Sequence, residues 1–152
     1  MKDVLSTLFA KYGFSESKAL LLAEVHTQNT LYGVSSHGIN RVPRFIDYVK
    51  KGVVKVDAEA RKVEAFGNIE RWDGNQGSGV INAVNCTNRA IALAKTNGMG
   101  LVALRNTNHW MRGGFKRPGK NFKERAGAPD WILERFSLFD SVGYACDLTI
   151  SG

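Results

Sequence analysis

Cysteine is scarce in this chain. Cys86 and Cys146 are the only two, and neither belongs to a CxxC pair or a Cys/His cluster. That excludes a disulfide framework and the usual zinc spacings, and it suits a reducing cytoplasm. Long apolar runs are lacking too. No stretch approaches the length of a membrane span. The first residues, Met1-Lys2-Asp3-Val4-Leu5, lack the unbroken apolar core of a secretory signal. The expectation is a cytoplasmic protein with no membrane partner and no bound metal. Internal repeats and low-complexity segments are missing. So are the common nucleotide signatures. Gly74-Asn75-Gln76-Gly77-Ser78-Gly79 is rich in glycine, but it has neither the Lys-Ser/Thr ending of a Walker loop nor the order GxGxxG. It reads as a loop leading into a helix.

With 152 residues and 43% hydrophobic content, the chain can bury one real core. Its net charge of +7 raises the question of a nucleic-acid partner. The basic residues are scattered, however, and their one cluster lies at residues 116–125. Nucleic acid is therefore not expected, whereas a small anionic acid would suit a basic site.

Periodicity predicts an α/β fold. Residues 4–12 read as a helix, stopped by Gly13. Ser15 opens a second helix that runs towards Gly33. His26 falls on the edge of its Ala19–Leu22–Ala23 stripe and reads as a core-edge residue. Pro43 belongs in the first turn of a third helix and should bias Val42 away from helical geometry. Residues 61–66 and 69–73 alternate like an antiparallel pair, with Gly67-Asn68 as the turn. Residues 80–96 read as a helix with a stripe through Val80, Ala83, Val84, Thr87, Ile91 and Ala94, flanked by Cys86. Asn97-Gly98 should end it, and residues 99–104 should form a buried strand.

The chemistry concentrates at Ser35-Ser36-His37-Gly38-Ile39-Asn40-Arg41. An imidazole is the side chain best suited to passing a proton near neutral pH. A guanidinium is a planar fork that grips a carboxylate at two points. Reduction of a 2-oxo acid needs both. A second polar group, Asn106-Thr107-Asn108-His109-Trp110, follows the strand at residues 99–104. The end of a buried strand is a common place for a site.

Two blocks carry a family resemblance. Tyr32-Gly33-Val34-Ser35-Ser36-His37-Gly38-Ile39-Asn40-Arg41-Val42-Pro43-Arg44-Phe45-Ile46 resembles the start of the type-2 malate/L-lactate dehydrogenases. Gly100-Leu101-Val102-Ala103-Leu104-Arg105-Asn106-Thr107-Asn108-His109-Trp110-Met111-Arg112-Gly113-Gly114 agrees with it, in the same order. The resemblance implies N-terminal helices plus a small sheet, without a Rossmann fold. It implies hydride transfer between NAD or NADP and a small 2-oxo or 2-hydroxy acid. His37 would give the proton, Arg41 would hold the substrate carboxylate, and His109 would help to orient the carbonyl or a hydroxyl. The residues holding the cofactor are not indicated.

The resemblance covers residues 1–114 and leaves 115–152 as a tail without family features. Residues 115–125 read as a basic, turn-rich loop, and residues 130–140 as a short amphipathic helix through Trp131, Ile132, Leu133 and Phe136. A frame change, or a rearranged or partial gene, would produce such a tail. The product would then be a catalytically inactive remnant. It would keep apolar surface uncovered, with homo-oligomerisation or poor solubility as the expected result.

Overall fold

The computed structural model describes residues 1–111 in full, and residues 135–139 and 145–151 as backbone. Among the described residues there are four α-helices: α1 (Lys2–Lys11), α2 (Glu16–Leu31), α3 (Val42–Lys50) and α4 (Gly79–Asn97). Two short 3-10 turns, Ser35–His37 and Ile39–Arg41, join α2 to α3. The strands are β1 (Arg61–Phe66), β2 (Ile69–Asp73), β3 (Met99–Arg105), β4 (Arg135–Phe139) and β5 (Ala145–Ser151). They form one mixed sheet in the order β1-β2-β3-β5-β4. Strands β2 and β3 are parallel, as a crossover through α4 requires, and the other neighbours are antiparallel.

Apolar residues fall into two cores. In the first, α1, α2 and α3 meet around Phe9, Phe14 and Phe45. Phe9 and Phe45 pack edge to face with centroids 5.8 Å apart. Phe9 is fully buried, which is worth about 2–3 kcal/mol on its own. In the second core, α4 lies on β3 through Cys86, Ala90, Leu93, Val102 and Leu104. Gly98 closes α4 in the left-handed region, at φ 77°.

Several expectations need correction. The buried face of α4 runs through Val80, Asn82, Cys86, Ala90 and Leu93. Of the expected stripe, Val80 is buried, Ile91 and Ala94 pack half-buried against the second core, and Ala83, Val84 and Thr87 are half-buried at its side. This helix is apolar on more than one side, so periodicity does not choose the face. The choice is steric: α4 needs small residues where it touches β3, and the Cβ that Gly100 lacks would meet the Ala90 carbonyl. Cys86 accordingly lies inside the packed face. Val42 is helical, with φ −57° and ψ −46°, despite preceding Pro43. The 3-10 turn before it already points the chain along α3, which outweighs a moderate steric preference. Residues 135–139 form a strand paired with β5, where the sequence suggested a helix. Ladder pairing overrode a weak helical period there. The rest of residues 130–140, and the basic loop at 115–125, lie outside the described residues.

His26 is not at the edge of the core but inside it, fully buried between Phe9 and Phe45 at centroid distances of 5.6 and 6.1 Å. Its Nδ1 donates to the Leu22 carbonyl at 2.8 Å when the ring is neutral, and its Nε2 has no partner. Burial pushes its pKa down, against a smaller upward pull from the Leu22 hydrogen bond. The unfolded chain therefore binds a proton more readily than the folded one. Stability should hold above about the ordinary imidazole value of 6.5 and fall as pH drops below it. Thermal melts across that range should show a falling midpoint on the acid side. His26→Leu should flatten the fall in part, because His109, described below, acts with the same sign.

Candidate active site

Helix α2 ends on two polar residues that hold the next turn. Asn29 is buried, and its Nδ2 donates to the His37 carbonyl at 3.0 Å. The Asn29 carbonyl accepts the Val34 N–H at 2.9 Å. Thr30 Oγ1 donates to the His26 carbonyl at 2.9 Å and accepts the Ile39 N–H at 2.8 Å. Gly38 sits directly on Thr30: an added Cβ would collide with the Thr30 hydroxyl and come within 3.0 Å of its Cα. Glycine is required here for close approach, since its φ is an ordinary −96°.

This turn presents His37 half-buried, with Nδ1 2.8 Å from the Ser36 hydroxyl. Its Nε2 is left as the nitrogen facing outward from that pair. Arg41 ends the second 3-10 turn.

His109 arrives from the other core. Beyond β3 the chain is stitched to the loop after β2. Gly74 N–H donates to the Arg105 carbonyl at 2.8 Å, and Asn106 Nδ2 donates to Asp73 Oδ1 at 2.8 Å. Buried Asn82 on α4 ties both segments, donating to the Gly74 carbonyl at 3.0 Å and the Thr107 hydroxyl at 2.8 Å. Met111 then inserts into the helical core. The residues between are thereby drawn across the boundary between the two cores, and this brings the His109 ring to 5.3 Å from the His37 ring.

His109 Nδ1 accepts the Met111 N–H at 2.9 Å, so a neutral ring carries its proton on Nε2. Burial pushes the His109 pKa down, and the nearby charges of Arg41 and His37 push it further. Thus the structure brings His37, Arg41 and His109 into one electrostatic neighbourhood. Sequence reasoning missed three residues that hold them there: Asn29, Thr30 and Asn82. Through these bonds each reaches a group eight or more positions away, which leaves no local spacing to read.

The glycine-rich loop does not serve as a phosphate cradle. A Cβ on Gly74 would lie 2.7 Å from Thr107 Cβ, and one on Gly77 would lie 2.8 Å from the Ala58 carbonyl. One on Gly79 would collide with the Asn108 carbonyl. These glycines admit neighbouring protein, not a ligand, and the N-terminus of α4 is closed by the segment carrying His109. Among the described residues no group of three His, Cys, Asp or Glu gathers for a metal. Nor is any described helix long and apolar enough to cross a membrane.

Comparison with known proteins gives one consistent answer. Residues 1–117 match the model of the malate/L-lactate dehydrogenase family. The chain is 43% identical over 114 residues to 2,3-diketo-L-gulonate reductase from Escherichia coli O17:K52:H18, covering 75% of this chain and 34% of that protein. Malate dehydrogenase from Pyrococcus horikoshii OT3 superposes with a TM-score of 0.72 at 29% identity, over 74% of this chain and 32% of that one. Sulfolactate dehydrogenase from Methanocaldococcus jannaschii gives 0.72 at 32% identity, over 74% and 33%. The chain thus spans about a third of the length of these relatives. Its helices and strands β1, β2 and β3 match their N-terminal part, and the chain belongs to the malate/L-lactate dehydrogenase family.

Proposed function

We propose that this chain carries the substrate-binding and proton-donating part of an NAD(P)H-dependent reductase of 2-oxo acids, with 2,3-diketo-L-gulonate as the substrate. The observation that carries the reading is the approach of the His37 and His109 rings beside Arg41. The substrate follows from the 43% identity to 2,3-diketo-L-gulonate reductase.

Arg41 holds the carboxylate through two parallel N–H bonds. His109, kept neutral with its proton on Nε2, donates a hydrogen bond to the carbonyl oxygen. His37 releases a proton from Nε2 as negative charge develops on that oxygen, while Ser36 holds its Nδ1. Bound NAD(P)H supplies the hydride.

Two measurements test the reading. Addition of 2,3-diketo-L-gulonate should shift the His37 and His109 ring resonances, and His37→Ala should abolish the His109 shift or reduce it sharply. An unchanged spectrum overturns the site reading. Steady oxidation of NADH or NADPH by the chain, lost in His37→Ala, establishes the reductase. Binding without oxidation upholds the substrate site and overturns the reductase activity of this chain by itself.

A further inference from the structure

We infer that Asn29 and Thr30, on the last turn of α2, are positioning residues that set where His37 and Arg41 stand relative to His109. The inference rests on the site proposed above, but its geometry is independent of any reaction. Three hydrogen bonds fasten residues 34–39 to one helical turn: Val34 N–H to the Asn29 carbonyl at 2.9 Å, Asn29 Nδ2 to the His37 carbonyl at 3.0 Å, and Ile39 N–H to Thr30 Oγ1 at 2.8 Å. Two of the three use side chains. They grip the turn on both sides of Gly38, whose backbone rests against Thr30.

The Thr30 hydroxyl has a defined direction. Its proton is committed to the His26 carbonyl, so a lone pair faces the Ile39 N–H. Asn29 is 1% exposed, and its amide is spent on a carbonyl that no regular element would otherwise satisfy. The turn itself has few anchors of its own. His37, Ile39 and Arg41 all lie outside the buried set, so no apolar side chain between Val34 and Val42 locks it down. Polar fastening to α2 therefore decides the placement of the imidazole and of the guanidinium that follows it.

The test uses ring resonances of the whole chain, which holds only three histidines. Thr30→Val keeps the shape and removes the acceptor, whereas Thr30→Ser keeps the acceptor. Among the described residues, the charged and titratable groups acting on His109 are Arg41 and His37. In Thr30→Val the His37–His109 ring-to-ring cross-peak should weaken several-fold. The His109 titration midpoint should move up towards that of a free imidazole, with that of His26 unmoved. Thr30→Ser should restore both. If Thr30→Val loses its fold, Asn29→Ser decides, since it withdraws the donor from the His37 carbonyl with a small change of volume. A folded Thr30→Val, or a folded Asn29→Ser in its place, that keeps cross-peak and midpoint overturns the inference. Loss of the cross-peak without any response to 2,3-diketo-L-gulonate in the parent chain would uphold the positioning role and overturn the site reading proposed above.

Discussion

Arg89→Ala is expected to lower the stability of this chain by about 2–3 kcal/mol at neutral pH, although Arg89 is 41% exposed. The reason is its partner. The Glu70 side chain is 2% exposed and points from β2 towards α4. Arg89 Nη2 reaches Oε1 at 2.7 Å and Nε reaches Oε2 at 3.0 Å, a two-pronged pair. Trp72 Nε1 adds a bond at 2.9 Å, and Lys62 stands 3.6 Å away. Removing Arg89 leaves a buried carboxylate with one neutral donor and the half-exposed Lys62 ammonium at 3.6 Å. Desolvation is then largely uncompensated. The exposure of Arg89 keeps the figure below that of a fully buried pair.

The sign of the pH dependence follows from the same pair. Arg89 holds the Glu70 carboxyl down at about 2 from 4.5, against the upward push of burial. This contribution is complete above about 4.5 and is lost as pH falls towards about 2. Urea unfolding of parent and Arg89→Ala should differ most near neutrality, and the difference should shrink below about pH 4.5 and close as pH reaches about 2. Comparing the two chains removes the histidine contributions, which are common to both. Glu70→Leu combined with Arg89→Leu should recover most of the loss, since an apolar pair of similar volume carries no desolvation penalty. Equal stability of parent and Arg89→Ala at neutral pH would show that Lys62 alone satisfies the carboxylate.

Glu70 and Arg89 also show where the sequence stops being legible. They lie 19 positions apart on a strand and a helix, and each reads as an ordinary surface charge. Only the crossing of α4 over β2 and β3 makes them a pair. Local features were readable where the local signal had no competitor. Residues 61–66 and 69–73 have a period of two and a glycine turn, and they form β1 and β2 with those bounds. Gly98 marks the end of α4 because few other residues accept its φ. The face of α4 was not readable, since it was chosen by the fit of small residues against β3. The burial of His26 was not readable either, because one hydrogen bond to Leu22 within its own helix lets a polar ring sit among phenylalanines. For the site, spacing suggested His37 with Arg41, and family resemblance added His109. The approach of the two rings depends on Met111 entering the helical core beyond β3, a tertiary fact without a local pattern.

Arg41→Lys is expected to weaken binding of 2,3-diketo-L-gulonate by about 10-fold, and Arg41→Ala by about 100-fold. Lysine keeps the charge but replaces a planar fork with a single ammonium, so one of two parallel hydrogen bonds to the carboxylate is lost. Alanine removes both bonds and the charge. The two substitutions also act differently on His109. Its pKa is pushed down first by burial and then by Arg41 and His37. A lysine at position 41 should leave that depression largely in place, whereas alanine should let the midpoint rise. Ligand titrations followed on the His109 ring therefore read geometry and charge separately in one experiment. Weaker binding in Arg41→Lys with an unmoved His109 midpoint is the signature of a carboxylate held by the fork. Unchanged affinity in Arg41→Lys would mean that Arg41 contributes charge alone, and that the carboxylate is gripped elsewhere.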